Sequence, residues 1–98
     1  LKRLNSEQFT GLRNLNELIL NHNKIRHLEA NIFGKLNSLQ KLDLNQNRLN
    51  FIKNNQFEST FMLECLILSK NYLRKIDSFS FRSLFNLKEL YLDQNKLK

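Results

Sequence analysis

Apolar residues recur along this chain with a period of 24, and the polar residues between them keep the same phase. Leu15, Leu39, Leu63 and Leu87 fall in one column. Leu18, Leu42, Leu66 and Leu90 fall in the next, and Leu20, Leu44, Leu68 and Leu92 in a third. Asn23, Asn47, Asn71 and Asn95 follow, and then Ile25, Leu49, Leu73 and Leu97, with Leu1 one period upstream. Leu28, Ile52 and Ile76 continue from Leu4, and Phe9, Phe33, Phe57 and Phe81 complete the set. No insertion or deletion breaks the spacing, and seven columns aligned in this way exclude chance. Within each unit the L-x-L core alternates. This predicts a short strand with Leu18 and Leu20 on one side and Glu17 and Ile19 on the other. One such unit cannot bury its own apolar face, so the units must stack and share faces, with parallel strands about 4.8 Å apart.

Each unit reads L-x-x-L-x-L-x-x-N-x-L-x-x-L-x-x-x-x-F-x-x-L-x-x, and the pattern spans essentially the whole chain. It resembles the leucine-rich repeat family, in the 24-residue class common in extracellular receptors and matrix proteins, with the toll-like receptor group the nearest likeness. The resemblance implies an α/β leucine-rich repeat solenoid. Such a solenoid is a curved horseshoe segment with a parallel β-sheet on its concave face and short turns or 3₁₀ segments on its convex face. The expected organisation is a single domain over residues 1–98. Partial repeat 1–14 precedes full repeats 15–38, 39–62 and 63–86, and partial repeat 87–98 follows. Family members usually carry cysteine-bearing caps. None is present here, which leads us to expect a fragment of a longer protein.

The invariant columns have structural readings. An Asn just after a strand can reach backbone groups of its own turn and of the next, satisfying polar groups in a buried bend. Asn23, Asn47, Asn71 and Asn95 therefore read as a ladder. In the family's geometry Phe9, Phe33, Phe57 and Phe81 point inward as a spine filling the convex half. One column departs from the pattern, because Leu12, Leu36 and Leu84 are matched by Thr60. Phe61 and Met62 are expected to slide into that gap. The alternative is a small exposed apolar spot.

Repeat scaffolds bind through the side chains that the repeat leaves free, and in this family chiefly on the concave face. One free column is Glu17, Lys41, Cys65 and Glu89. The next is Ile19, Asp43, Ile67 and Tyr91, and a third is Asn21, Asn45, Ser69 and Asp93. These twelve residues are the expected ligand-binding set. Tyr91, fixed and exposed, is a plausible anchor for a protein partner. Cys65, the sole cysteine, is expected as an accessible free thiol on this face and not as core. With no base beside it, it does not read as a nucleophile.

Charge adds a second candidate. The chain carries 16 Lys and Arg against nine Asp and Glu, a formal net charge of +7. Lys24, Arg48 and Lys96 share one column just beyond the strands, and Arg26, Arg74 and Lys98 share another. Lys2, Arg3, His27 and Lys75 lie close by. This lateral edge reads as a site for an anionic polymer such as nucleic acid or a sulfated glycan, or else as a solvated edge.

Other classes find little support. A single cysteine excludes an internal disulfide and disfavours a thiolate zinc site. There is no Gly-rich phosphate loop and no metal-ligand cluster, and His22 and His27 do not converge with an acid and a nucleophile. No catalytic residue, metal or cofactor is expected, and no apolar run approaches a membrane span. The expected partner is a protein ligand or co-receptor outside the cell. A structural or dimerisation role within a longer ectodomain is the alternative. None of the fifteen Asn lies in an N-x-S/T sequon, which weighs mildly against an extracellular setting.

Overall fold

A computed structural model describes residues 4–97. The strands lie where the L-x-L cores stand. β1 is Glu17–Ile19, β2 is Lys41–Asp43, β3 is Phe51–Ile52, β4 is Cys65–Ile67, β5 is Lys75–Ile76 and β6 is Glu89–Tyr91. β1, β2, β4 and β6 form one parallel sheet in that order, and every pairing is offset by one repeat, as in Leu18 to Leu42 to Leu66 to Leu90. The backbone ladder runs past both strand ends. Gln40 and Lys41 both donate to the Asn16 carbonyl, while Leu20 N–H donates to Asp43 O at 2.8 Å. The solenoid is therefore held by hydrogen bonds that the 24-residue period sets, and a one-residue slip would turn every core leucine outward.

Each strand leaves the sheet through one left-handed residue. His22, Gln46, Lys70 and Gln94 have φ of 58°, 57°, 56° and 56°. A non-glycine residue pays for that conformation with local strain, and here the next residue offsets it. Asn47 is buried, and its Nδ2 donates to Leu44 O and, across the repeat boundary, to Leu20 O. Its Oδ1 accepts from Ile25 N at 3.2 Å. Asn71 repeats the set with Leu44 O, Leu68 O and Leu49 N, and Asn95 repeats it with Leu68 O, Leu92 O and Leu73 N. The ladder thus ties each turn to the preceding repeat, not to the following one as the sequence had suggested. An amide in the turn reaches back to carbonyls already placed by the previous coil.

Behind the sheet the core is continuous. Leu42, Leu44, Leu63, Leu66 and Leu68 are fully buried, as are Ile25, Leu49 and Leu73. The Phe rings line up behind them. Successive centroids from Phe9 through Phe33 and Phe57 to Phe81 are 5.8, 6.2 and 6.0 Å apart, within the range where aromatic pairs attract beyond simple burial. The convex side consists of turns closed by i to i+3 hydrogen bonds, such as Leu36 N to Phe33 O at 3.0 Å. Among the described residues the one 3₁₀ helix is Ser6–Phe9, capped by reciprocal contacts of Asn5 and Gln8.

Three features were not expected. β3 and β5 form a second, two-stranded parallel sheet on the flank, pairing Phe51 with Lys75 and Ile52 with Ile76. Gln56 and Ser80, one repeat apart, are buried polar residues. Each donates to a carbonyl of the preceding repeat, Leu28 O and Ile52 O. Phe61 and Met62 do not fill the gap at Thr60. Thr60 is itself buried and donates to Phe57 O, so the site closes around a smaller, hydrogen-bonded side chain. Phe61 stays 47% exposed and stacks on Phe85, itself 77% exposed, with centroids 6.1 Å apart.

Candidate functional site

The four-stranded sheet sets out the expected ligand-binding columns by direct pairing. Glu17, Lys41, Cys65 and Glu89 are in register, and so are Ile19, Asp43, Ile67 and Tyr91. Because β-strand side chains alternate, these residues face away from the leucine core. Glu17, Ile19, Glu89 and Tyr91 are exposed, while Lys41, Asp43, Cys65 and Ile67 on the inner strands are half-buried by their neighbours. Lys41, Cys65, Ile67, Glu89, Tyr91 and Asp93 line one depression on this face.

The electrostatics of that depression follow from its pairing. Tyr91 donates its hydroxyl hydrogen to Glu89 Oε2 at 2.7 Å, and this bond to a carboxylate raises the phenol pKa above its usual value. The Cys65 thiol is also raised, first by burial and then by Glu89 and Asp43, with Lys41 acting the other way. The thiol is thus outward-facing but only half-exposed, and its neighbourhood favours the protonated form. That is the reverse of an activated cysteine. An acidic and a basic residue flank it, and Ile19, Ile67 and Tyr91 supply apolar area interrupted by Asp43. Such a surface can take up a complementary protein face by burying the apolar groups and pairing the rim charges.

The third column departs from expectation. Ser69, expected among the displayed side chains, is only 7% exposed, and its hydroxyl donates to Asp93. Asn21 and Asn45 are half-buried, and only Asp93 is exposed. Asp43 Oδ1 accepts from the Asn45 backbone N–H at 2.9 Å, so this column lies where the chain bends out of the sheet and is spent on shaping the bend. Asn45 Oδ1 is buried without a hydrogen-bond partner among the described residues.

The basic edge lies along the turns that follow the strands. Lys24, Arg26, Arg74, Lys75 and Lys96 are exposed and Arg48 is half-buried. Lys2, Arg3 and Lys98, expected on the same edge, lie outside the described residues. Tyr72, which occupies the Lys24–Arg48–Lys96 column, was not singled out from the sequence. Lys96 Nζ lies 5.8 Å from its ring centroid. The signal was present, since Tyr72 stands 24 residues after Arg48, but a search for charge alone passes over it.

The repeat geometry defines a class, the parallel-stacked solenoids of short leucine-rich coils, and comparison with known proteins places the chain within it. The family model described as leucine rich repeat matches residues 1–49, half of the sequence. The chain belongs to the leucine-rich repeat family. A search of curated proteins gave no match. Among solved structures, TLR13 in complex with ssRNA13 is 34% identical over the whole chain, with a TM-score of 0.96. Toll in complex with Spatzle, described as a molecular hub in Drosophila development and innate immunity, is 33% identical over 95% of the chain, with a TM-score of 0.90. The leucine-rich repeat domain of APL1B is 26% identical over the whole chain, with a TM-score of 0.95. The chain spans 12% of Toll, 14% of TLR13 and 29% of the APL1B chain. Among the described residues no helix is long and apolar enough to cross a membrane.

Proposed function

We propose that this segment is a non-enzymatic recognition module that binds a protein ligand or co-receptor with the outward face of its four-stranded sheet. The observation that carries the reading is the register of that sheet. It fixes Ile19, Ile67 and Tyr91 in one column beside the Glu17–Lys41–Cys65–Glu89 column. The result is a rigid, mixed apolar and charged surface with an aromatic anchor. The similarity to Toll, solved with the protein Spatzle, supports a protein ligand. The similar structures are several times longer, which supports a role as part of a longer array in a secreted protein or a receptor ectodomain.

The test substitutes Ile19, Ile67 and Tyr91 together with Ser and measures binding to a panel of secreted proteins by surface plasmon resonance. Loss of these groups should weaken the ligand by at least tenfold, since buried anchors of this kind are worth more than about 1 kcal/mol each. Reversal of Arg26, Arg74 and Lys75 should leave the same ligand bound. If the triple Ser variant binds as the wild type does, the sheet face is a spacer and the reading is wrong.

A further inference from the structure

The basic edge is more sharply bounded than a count of charges suggests. Residues 22–27, 46–51, 70–75 and 94–97 are the stretches that follow the four strands of the main sheet. Together they contain seven of the 16 Lys and Arg and none of the nine Asp and Glu, which leaves nine cations against nine carboxylates elsewhere. The whole positive excess therefore sits on one strip. The ion pairs of the described residues, Lys35 with Glu7 and Lys88 with Glu64, lie outside it. Among the described residues its cations thus form no ion pair with a carboxylate.

The strip is also rigid and aromatic. Arg48, Tyr72 and Lys96 donate their backbone N–H groups to Ile25, Leu49 and Leu73 of the preceding repeat at 2.8, 2.9 and 2.9 Å. These bonds fix one side chain per coil at the inter-strand spacing. Tyr72 and Phe51 are each 49% exposed. Two hollows adjoin along the strip, both lined by Arg48 and Tyr72. One extends to Lys24 and Lys70 and the other to Arg26 and Asn50.

We infer that this strip binds single-stranded nucleic acid, with the cations tracking the phosphates and the Tyr72 ring stacking on a base. Unpaired cations in a line recognise any polyanion. The exposed ring narrows the choice, because every unpaired base offers a π-face. A sulfated glycan has no aromatic ring to stack, and a duplex keeps its bases stacked inside. Lys96, already over one side of the Tyr72 ring, is placed to reach the phosphate next to a base stacked on it. This site borders the sheet face at Lys70, which lines a hollow on each side, but it does not depend on the protein-ligand reading.

The experiment uses the 98-residue chain and a fluorescein-labelled oligouridine of about 12 nucleotides, in the range of a stacking groove. Anisotropy is followed from about 50 to 200 mM salt. Log affinity should fall with log salt at a slope of about −0.7 for each phosphate held. Tyr72→Ala should weaken binding at least about fivefold with the slope unchanged, since it removes stacking and not charge. A combined Arg48→Gln and Arg74→Gln change should flatten the slope by about 1.4. The chain has no tryptophan, so Tyr72→Trp adds a unique fluorophore, whose emission should be quenched as the oligomer binds. That readout also decides the matter if the alanine variant fails to fold. Absence of binding at low salt would overturn the inference. So would wild-type affinity in Tyr72→Ala, an unquenched Trp, or a heparin oligosaccharide of equal charge that binds more tightly than the oligouridine.

Discussion

Cys65 shows how much one residue's environment depends on its neighbours in other repeats. Its column partners Lys41 and Glu89 are 24 residues away on either side, yet they set its chemistry. Burial and Glu89 raise its pKa, so at neutral pH less of the thiol is ionised than in free cysteine. Because the thiolate is the reactive form, maleimide labelling of the folded protein should lag behind that of free cysteine and should climb with pH only at more alkaline values. Glu89→Gln removes a charge that disfavours the thiolate and should speed labelling at pH 8, whereas Lys41→Gln should slow it. Rates measured by mass spectrometry check both signs. If the rate in Glu89→Gln falls, the electrostatic account of this site is wrong. Ser69 teaches the complementary lesson. Alternation placed it outward, but its bond to Asp93 draws it into the bend, and a neighbour one repeat away cannot be weighed from a periodicity.

At the scale of elements, the strand positions, their parallel register and the Asn and Phe columns were legible because a strict period aligns like with like. A parallel stack of in-register coils has one way to turn its leucine columns to the same side. The rest was not legible, for physical reasons. β3 and β5 carry only a two-residue x-I pattern, and their pairing depends on how the flanks of adjacent coils approach. Gln56 and Ser80 share a column with Gln8 and Ile32, so the sequence offers no common chemistry there. The carbonyls they satisfy become visible only once the coils are stacked. Thr60 looked like a hole to be filled, whereas a hydroxyl bonded to Phe57 O makes it a smaller closed site. The Asn ladder is the element on which stability should depend most sharply. Asn71 makes four hydrogen bonds through its side chain, to Leu44 O, Leu68 O, Ser69 O and Leu49 N, in a buried bend. Asn71→Ala should destabilise the fold by about 3 kcal/mol, because it removes those bonds and strands buried carbonyls and an N–H. Urea denaturation followed by circular dichroism reads this directly. A loss under about 1 kcal/mol would mean that the ladder is not a principal tie between coils.

As a whole molecule, the solenoid presents two faces that the repeat leaves free, and they differ in kind. The sheet face is mixed, with Ile19, Ile67 and Tyr91 among acidic and basic groups, while the stretches that form the edge beyond it carry cations and no Asp or Glu of their own. The only cysteine lies on an inner strand of the first face, paired with Lys41 and Glu89, and lines neither of the two hollows along the second. The chain thus carries its own reporter of which face a partner covers. The most direct test of recognition by the sheet face is the rate of maleimide labelling at Cys65 in the presence of a bound protein ligand. Occupation of the sheet face should slow that rate at least about tenfold, as expected for a group sealed within a desolvated interface. A ligand that binds at saturation and leaves the Cys65 rate unchanged would contradict it.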